Sequence, residues 1–285
     1  MTRYAWLNGR LVDEAAAVVP AADRGFLYAD GLFETLRLYG GRPFRLADHW
    51  ARLTASSRFL GLPDPPDPNP AIEALVRANG AADAVVRFTW TRGARPAGPR
   101  PGPAPNPTFL ATLRPLPPDL ARRRAEGVEA RTVSQSLRAR GLAMQGHKTL
   151  AYLGSVWALG RVPGGAEPLL LTTEGHLAEG ATSNLFWVRD GVCHTPHPDT
   201  GCLPGIAARV ARERAAALGL EVREGFYEPG HLAQADEAFL TNSVVEIVPL
   251  VALDGRAVGA GRPGAVTRRL QEAYAEAVRR EGGAP

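Results

Sequence analysis

Lysine occurs once in this chain, at Lys148; the other thirty-two of its 33 Lys and Arg positions are arginine. The two cations differ chemically. A lysine amine can lose its proton when desolvated and can bond a carbonyl carbon as a Schiff base, whereas a guanidinium stays protonated and does neither. Position 148 therefore has two readings: a covalent catalyst, or a leftover of a strong compositional preference for arginine. The neighbouring sequence has to separate them.

Four segments, Lys148's own among them, carry chemistry that fits the first reading. Gly146-His147-Lys148-Thr149-Leu150-Ala151-Tyr152-Leu153 sets the lysine just before a helix, with Tyr152 one turn further along the same face. Ala178-Glu179-Gly180-Ala181-Thr182-Ser183-Asn184-Leu185-Phe186 places a carboxylate in a small-residue loop that feeds a buried strand, and small residues let backbone approach a flat ligand closely. Leu203-Pro204-Gly205-Ile206-Ala207 opens a helix whose first N–H groups can bind an anion, and Phe239-Leu240-Thr241-Asn242-Ser243 is a strand end bearing hydroxyls. Taken singly, Glu179 reads as a surface acid and Gly205 as helix punctuation. In combination, one amine, one carboxylate and two phosphate-type sites describe a pocket for pyridoxal phosphate.

Other motifs carry less. Gly259-Ala260-Gly261-Arg262-Pro263-Gly264 fits a dinucleotide spacing, but contains a proline and leaves no room for a following βαβ unit. Cys193-His194-Thr195-Pro196-His197 lacks a second ligand cluster, so no metal site is expected. Two cysteines support no disulfide framework. A net charge of +4 admits an acidic substrate without arguing for nucleic acid, and Arg122-Arg123-Arg124 between Asp119 and Glu126 reads as a solvated linker. The opening MTRYAWLNGR has no signal-peptide core, and no apolar run is long enough to cross a membrane. A cytoplasmic setting is the expectation.

These residues need elements to hold them. Ala5–Leu7 and Arg10–Val12 around Asn8-Gly9 predict a hairpin. A strand is predicted over 33–39, helices over 46–60 and 71–79, and strands over 84–91 and 108–113, with a Pro/Gly-rich loop over 94–107 that reads as a lid or a spacer. After a charged stretch over 114–127, strands are predicted near 128–133, 168–172, 184–188 and 238–240, and helices over 150–159, 205–218 and 265–280. The expectation is an α/β (α+β) chain of two lobes: an N-terminal domain over 1–114, a linker over 115–127 and a cofactor-binding domain over 128–285.

The chain resembles the fold-type-IV, class-IV pyridoxal-phosphate enzymes, which include branched-chain and D-amino-acid aminotransferases and aminodeoxychorismate lyase. The resemblance rests on Asp23–Thr35, His49–Leu53, the Lys148 and Glu179 segments, Leu203–Ile206 and Thr241–Pro249. It implies that Lys148 forms the Schiff base and that Glu179 faces the pyridine nitrogen. Arg52 would hold the phosphate, together with the backbone of Ile206 and Ala207, Asn242 and the Ser243 hydroxyl. Tyr152 would approach the ring oxygen. Tyr28, Phe33, Arg92 and a catalytic Thr35 would line the substrate side. It also implies a site between the lobes, a small anionic amino substrate and a homodimer. One departure is local: many relatives read Gly-Ile-Thr-Arg where this chain has Gly205-Ile206-Ala207-Ala208, so only the backbone contact at Ala207 carries over.

Within that family, Thr35, Thr241-Asn242-Ser243 and Gly25-Phe26-Leu27-Tyr28 lean toward the lyase, which releases 4-aminobenzoate and pyruvate. Thr91-Arg92-Gly93 resembles the carboxylate-trapping loop of D-amino-acid aminotransferases and leans the other way. The reading of another class is a basic, non-enzymatic binding protein.

Overall fold

The computed structural model describes residues 3–94 and 98–281, with the backbone alone at 136 and 137. The chain divides into two compact units. One holds residues 3–116, 147–151 and 279–281; the other holds 117–146 and 152–278.

The first unit runs β1 (Tyr4–Leu7), β2 (Arg10–Asp13), α1 (Arg24–Tyr28), β3 (Gly31–Tyr39), β4 (Arg42–Pro43), α2 (Leu46–Phe59), α3 (Asn69–Asn79), β5 (Ala84–Thr91) and β6 (Thr108–Arg114). Its six strands form an antiparallel sheet ordered β2-β1-β6-β5-β3-β4. The predicted hairpin is present: Asn8 and Gly9 both adopt positive φ, 48° and 85°, as a tight hairpin turn requires. Period-two alternation sends Leu32, Leu36 and Leu38 of β3, with Val86, Phe88 and Trp90 of β5, into a core closed by Leu53 of α2 and Ile72 and Leu75 of α3. Residues Phe33, Thr35 and Arg37 project from the other face of the sheet.

The second unit runs α4 (Leu120–Glu126), β7 (Val128–Arg138), α5 (Leu153–Leu159), β8 (Glu167–Thr172), β9 (Leu177–Gly180), β10 (Asn184–Arg189), β11 (Val192–Pro196), α6 (Ile206–Ala217), β12 (Val222–Gly225), α7 (Pro229–Ala233), β13 (Glu237–Asn242), β14 (Glu246–Leu253), β15 (Arg256–Ala257) and α8 (Ala265–Arg280). Its sheet is mixed, ordered β12-β11-β10-β13-β14-β7-β8-β9, with β15 beside β14. Pairs β14–β7, β7–β8 and β11–β12 are parallel. At its centre Phe186 and Phe239, opposite each other on β10 and β13, stack at 5.1 Å. Helix α6 buries Ile206, Ala207, Val210, Ala211 and Ala215, a stripe at helical spacing.

Four expectations change. The stretch over 115–127 holds a helix, α4, whose Leu120 is buried. Residues 147–151, placed by the sequence in the second domain, group with the first unit. The helix expected from residue 150 begins at Leu153, so Tyr152 precedes it and shares no helical face with Lys148. Glu179 lies in a strand, β9, rather than a loop. The predicted loop over 94–107 falls partly on residues 95–97, outside the described residues.

Candidate active site

In the first unit the lysine segment is laid against β3 through an isolated antiparallel bridge. Phe33 N–H donates to the Lys148 carbonyl at 2.9 Å, Leu150 N–H donates to the Gly31 carbonyl at 3.0 Å, and Leu32 and Thr149 form a bridge. Gly31 makes this approach feasible. A Cβ there would sit 2.6 Å from the Trp90 carbonyl oxygen and 2.9 Å from Leu150 Cδ1. His147 anchors the segment to α2, its Nδ1 lying 2.9 Å from Ser56 Oγ and its ring stacked 4.1 Å from Phe59. Partial burial lowers the His147 pKa.

The Lys148 ammonium lies 4.6 Å from the centre of the Phe33 ring, and the Arg87 guanidinium lies 3.9 Å from the same ring. Arg87 is directly opposite Thr35 in the β3–β5 register. Phe33, Thr35, Arg87 and the lysine amine thus share one side of the sheet. Arg87 was not singled out from sequence; its signal was its position across from Thr35, which needs the strand register. Tyr28 ends α1, 44% exposed, with Arg24 stacked over its ring at 4.8 Å.

On the core side lies a buried charge cluster. Glu34 accepts from Arg52 Nε at 2.7 Å and from Arg52 Nη2 at 2.8 Å, and its Oε2 lies 2.7 Å from His49 Nδ1. Burial would raise the Glu34 pKa, but Arg52 and His49 reverse that and hold it down to about 2. Burial lowers the His49 pKa, against the pull of Glu34. Arg52, expected only as a phosphate ligand, is thus also half of a buried ion pair.

Arg92 is corrected. A guanidinium has five N–H donors, and here all are committed within the first unit. They go to Asp30 at 2.8 and 3.1 Å, and to the carbonyls of Leu60 at 2.7 Å, Gly61 at 3.0 Å and Gly102 at 3.3 Å. The side chain is 3% exposed. Arg92 ties loops together and has no donor left for a substrate carboxylate. Asp30 also pairs with Arg24 at 2.7 Å. Burial raises the Asp30 pKa, and the two arginines more than offset this to leave it lowered.

In the second unit Glu179 is 6% exposed. One oxygen accepts from Leu203 N–H at 2.9 Å and the other lies 2.8 Å from Arg138 Nη2. The small residues that follow it are explained by packing. A Cβ on Gly180 would collide with Ser183 Oγ and the Glu167 carboxylate. Glu167, buried, accepts from Thr182 N–H at 2.8 Å and Ser183 Oγ at 2.8 Å; burial raises its pKa despite these bonds. Tyr152 donates its hydroxyl proton to the Ala181 carbonyl at 2.7 Å, and burial raises its pKa. Gly205 is the N-cap of α6 and offers the Ile206 and Ala207 end no side-chain cap of its own. A Cβ at Gly205 would strike the Asn184 amide oxygen, whose nitrogen donates to the Leu203 carbonyl at 2.8 Å.

Asn242, expected at the phosphate, ends β13 at a turn. Its amide oxygen accepts from Val244 and Val245 N–H, both at 2.9 Å, and its nitrogen donates to the Thr182 carbonyl at 3.2 Å. Its side chain shapes the turn that presents Ser243. A cavity of about 790 Å³ in this unit, lined by Arg131, Trp157, Arg161 and Asp254 among others, contains none of the candidate residues. Among the described residues no group of three or more His, Cys, Asp or Glu is placed to hold a metal ion, and no helix is long and apolar enough to cross a membrane.

Residues 31–253 match the family described as amino-transferase class IV. A putative branched-chain-amino-acid aminotransferase of Methanocaldococcus jannaschii is 35% identical over 274 residues, covering 94% of this chain and 94% of the relative. Aminodeoxychorismate lyase of Bacillus subtilis is 33% identical over 279 residues, covering 96% of this chain and 94% of the relative. The crystal structure of a T.th. branched-chain amino acid aminotransferase with pyridoxamine 5'-phosphate matches with a TM-score of 0.89 at 30% identity, covering 100% of this chain and 96% of that one. The chain belongs to the class-IV aminotransferase family and has its two-sheet, fold-type-IV architecture. It is an enzyme of the pyridoxal-phosphate class. The chain has the donor types such a cofactor needs: a lysine, buried carboxylates that include Glu179, and a helix whose N-cap is glycine.

Proposed function

We propose that the chain is an aminodeoxychorismate lyase, converting 4-amino-4-deoxychorismate to 4-aminobenzoate and pyruvate. The observation that carries this reading is Thr35, a hydroxyl opposite Arg87 on the side of the sheet that also holds Phe33 and the Lys148 amine. An elimination needs a base at the carbon bearing the substrate's amine and a donor for the departing oxygen. A transamination needs no such donor.

In this reading Lys148 holds the cofactor, and Glu179 keeps the ring nitrogen protonated. Arg52, the backbone N–H groups of Ile206 and Ala207 and the Ser243 hydroxyl bind the phosphate. When bound, pyridoxal phosphate supplies the electron sink that makes the proton beside the amine acidic. The Lys148 amine then takes that proton. The Thr35 hydroxyl faces the enolpyruvyl ether oxygen as it leaves. Arg87, in place of Arg92, receives a substrate carboxylate through its planar fork. Phe33 orients both cations and excludes water. Tyr152 acts at the ring oxygen once its hydroxyl turns from Ala181. Exposed Phe26 and Leu27, at 79% and 48%, support assembly as a homodimer, which sedimentation would test.

The second reading is a class-IV aminotransferase for branched-chain or D-amino acids, favoured by the Methanocaldococcus jannaschii relative. Holoenzyme given aminodeoxychorismate should form 4-aminobenzoate. Separate incubations with L-leucine or D-alanine plus 2-oxoglutarate should yield little keto product. Far higher efficiency with the amino acids would reverse the assignment. Protein that takes up no pyridoxal phosphate would end both readings and leave the basic binding protein.

A further inference from the structure

We infer that Glu34 is the positioning residue for Arg52 and, through it, for the phosphate of the cofactor. The inference rests on the reading of the chain as a pyridoxal-phosphate enzyme with Arg52 at the phosphate. It comes from the place of the carboxylate in the fold. Glu34 lies in line with Leu32, Leu36 and Leu38 on the core face of β3, and its side chain is 1% exposed. A carboxylate there is expensive unless paired, and an apolar side chain of similar size would commonly be as stable or more so.

The geometry shows what the carboxylate provides. Its two oxygens grip Arg52 along the Nε and Nη2 edge at 2.7 and 2.8 Å, which sets the plane of the guanidinium. His49, three residues before Arg52 on the same face of α2, holds the carboxylate from the side at 2.7 Å. Glu34 offsets the charge of Arg52. Charge alone would therefore bind a phosphate better without Glu34. What Glu34 adds is orientation: it fixes a four-torsion side chain before the anion arrives and lowers the ordering penalty of binding.

The test uses the full-length holoenzyme of wild type and of Glu34→Gln, with cofactor release and rebinding followed by the visible band. Pyridoxal 5'-phosphate and pyridoxal, which lacks the phosphate, are compared as ligands. Glu34→Gln should weaken pyridoxal 5'-phosphate by about tenfold or more and leave pyridoxal unchanged. In an Arg52→Gln background the same change should have no further effect. Equal weakening of both ligands, or of neither, would overturn the inference and leave Glu34 a structural charge. Should Glu34→Gln fail to fold, Glu34→Asp retains the charge but shortens the grip, and must show the same phosphate-specific loss. Wild-type protein that binds neither ligand would instead defeat the underlying cofactor reading.

Discussion

The carbonyl of Lys148 accepts from the amide N–H of Phe33, and the Lys148 amine lies 4.6 Å from the Phe33 ring. The same residue thus holds the lysine at both ends, by backbone pairing and by its aromatic face. A flexible four-carbon stem is oriented by a contact that leaves the amine its chemistry.

Replacing Lys148 with arginine keeps the positive charge and removes the amine. Lys148→Arg should abolish turnover and lose the borohydride-fixable visible band, while its circular dichroism matches wild type. An active Lys148→Arg enzyme would refute the assignment of this residue.

Gly31 sets how closely the lysine segment can lie on β3. Gly31→Ala places a methyl against the Trp90 carbonyl and Leu150, and should destabilise by about 1–3 kcal/mol. Urea unfolding measures this. A neutral effect on both stability and cofactor retention would show that the close approach is dispensable.

Arg92 and Arg87 should separate cleanly. Arg92→Gln breaks a buried pair and should cost roughly 3 kcal/mol of stability. Arg87→Leu loses a cation–ring contact worth about 1 kcal/mol, yet should raise KM for the anionic substrate while Tm barely moves. Thermal melts beside initial rates decide it; a KM effect confined to Arg92→Gln would restore the sequence-based expectation.

Acid should weaken the fold through Glu34 and His49. The Glu34 pKa falls from 4.5 to about 2 on folding, so its stabilisation is complete above pH 4.5 and is lost as pH drops toward 2, a span worth roughly 3 kcal/mol. The His49 pKa is also lowered on folding, so stability falls as pH drops below 6.5 with the same sign. Urea midpoints measured from pH 7 to pH 3 should decline in wild type and flatten at the acid end in Glu34→Gln. Parallel curves would exclude Glu34 as the source.

Much of this was legible in the chain itself. Lys148 stood out because its chemistry differs from that of every other long cation. The helices α2, α3, α6 and α8 were readable because their apolar spacing is long enough to be distinctive. Strand β14 was harder, because Pro249 interrupts an apolar run and lacks an N–H. It pairs with Phe239 on β13, and on the β7 side the register shifts between Leu250 and Ala252. Arg92 misled because its neighbours in sequence suggested a ligand loop, while the carbonyls of Leu60, Gly61 and Gly102 come from other segments. Glu34 had a usable signal: it shares parity with Leu36 and Leu38, which places an acid on a buried face. Parity alone could not reveal that Arg52 and His49 meet it there.

The docking of 147–151 on β3 also bears on when the enzyme becomes competent. Ser56 and His147, which meet in this unit, are 91 positions apart. All six strands of the sheet end by Arg114, so on the ribosome the platform can assemble while the amine is still unmade. The segment 147–151, which bridges to β3 through Leu32 and Thr149, is delivered later, and Lys148 with it. On the proposed reading of Lys148, a nascent first unit is a scaffold that lacks its Schiff-base amine until that segment docks.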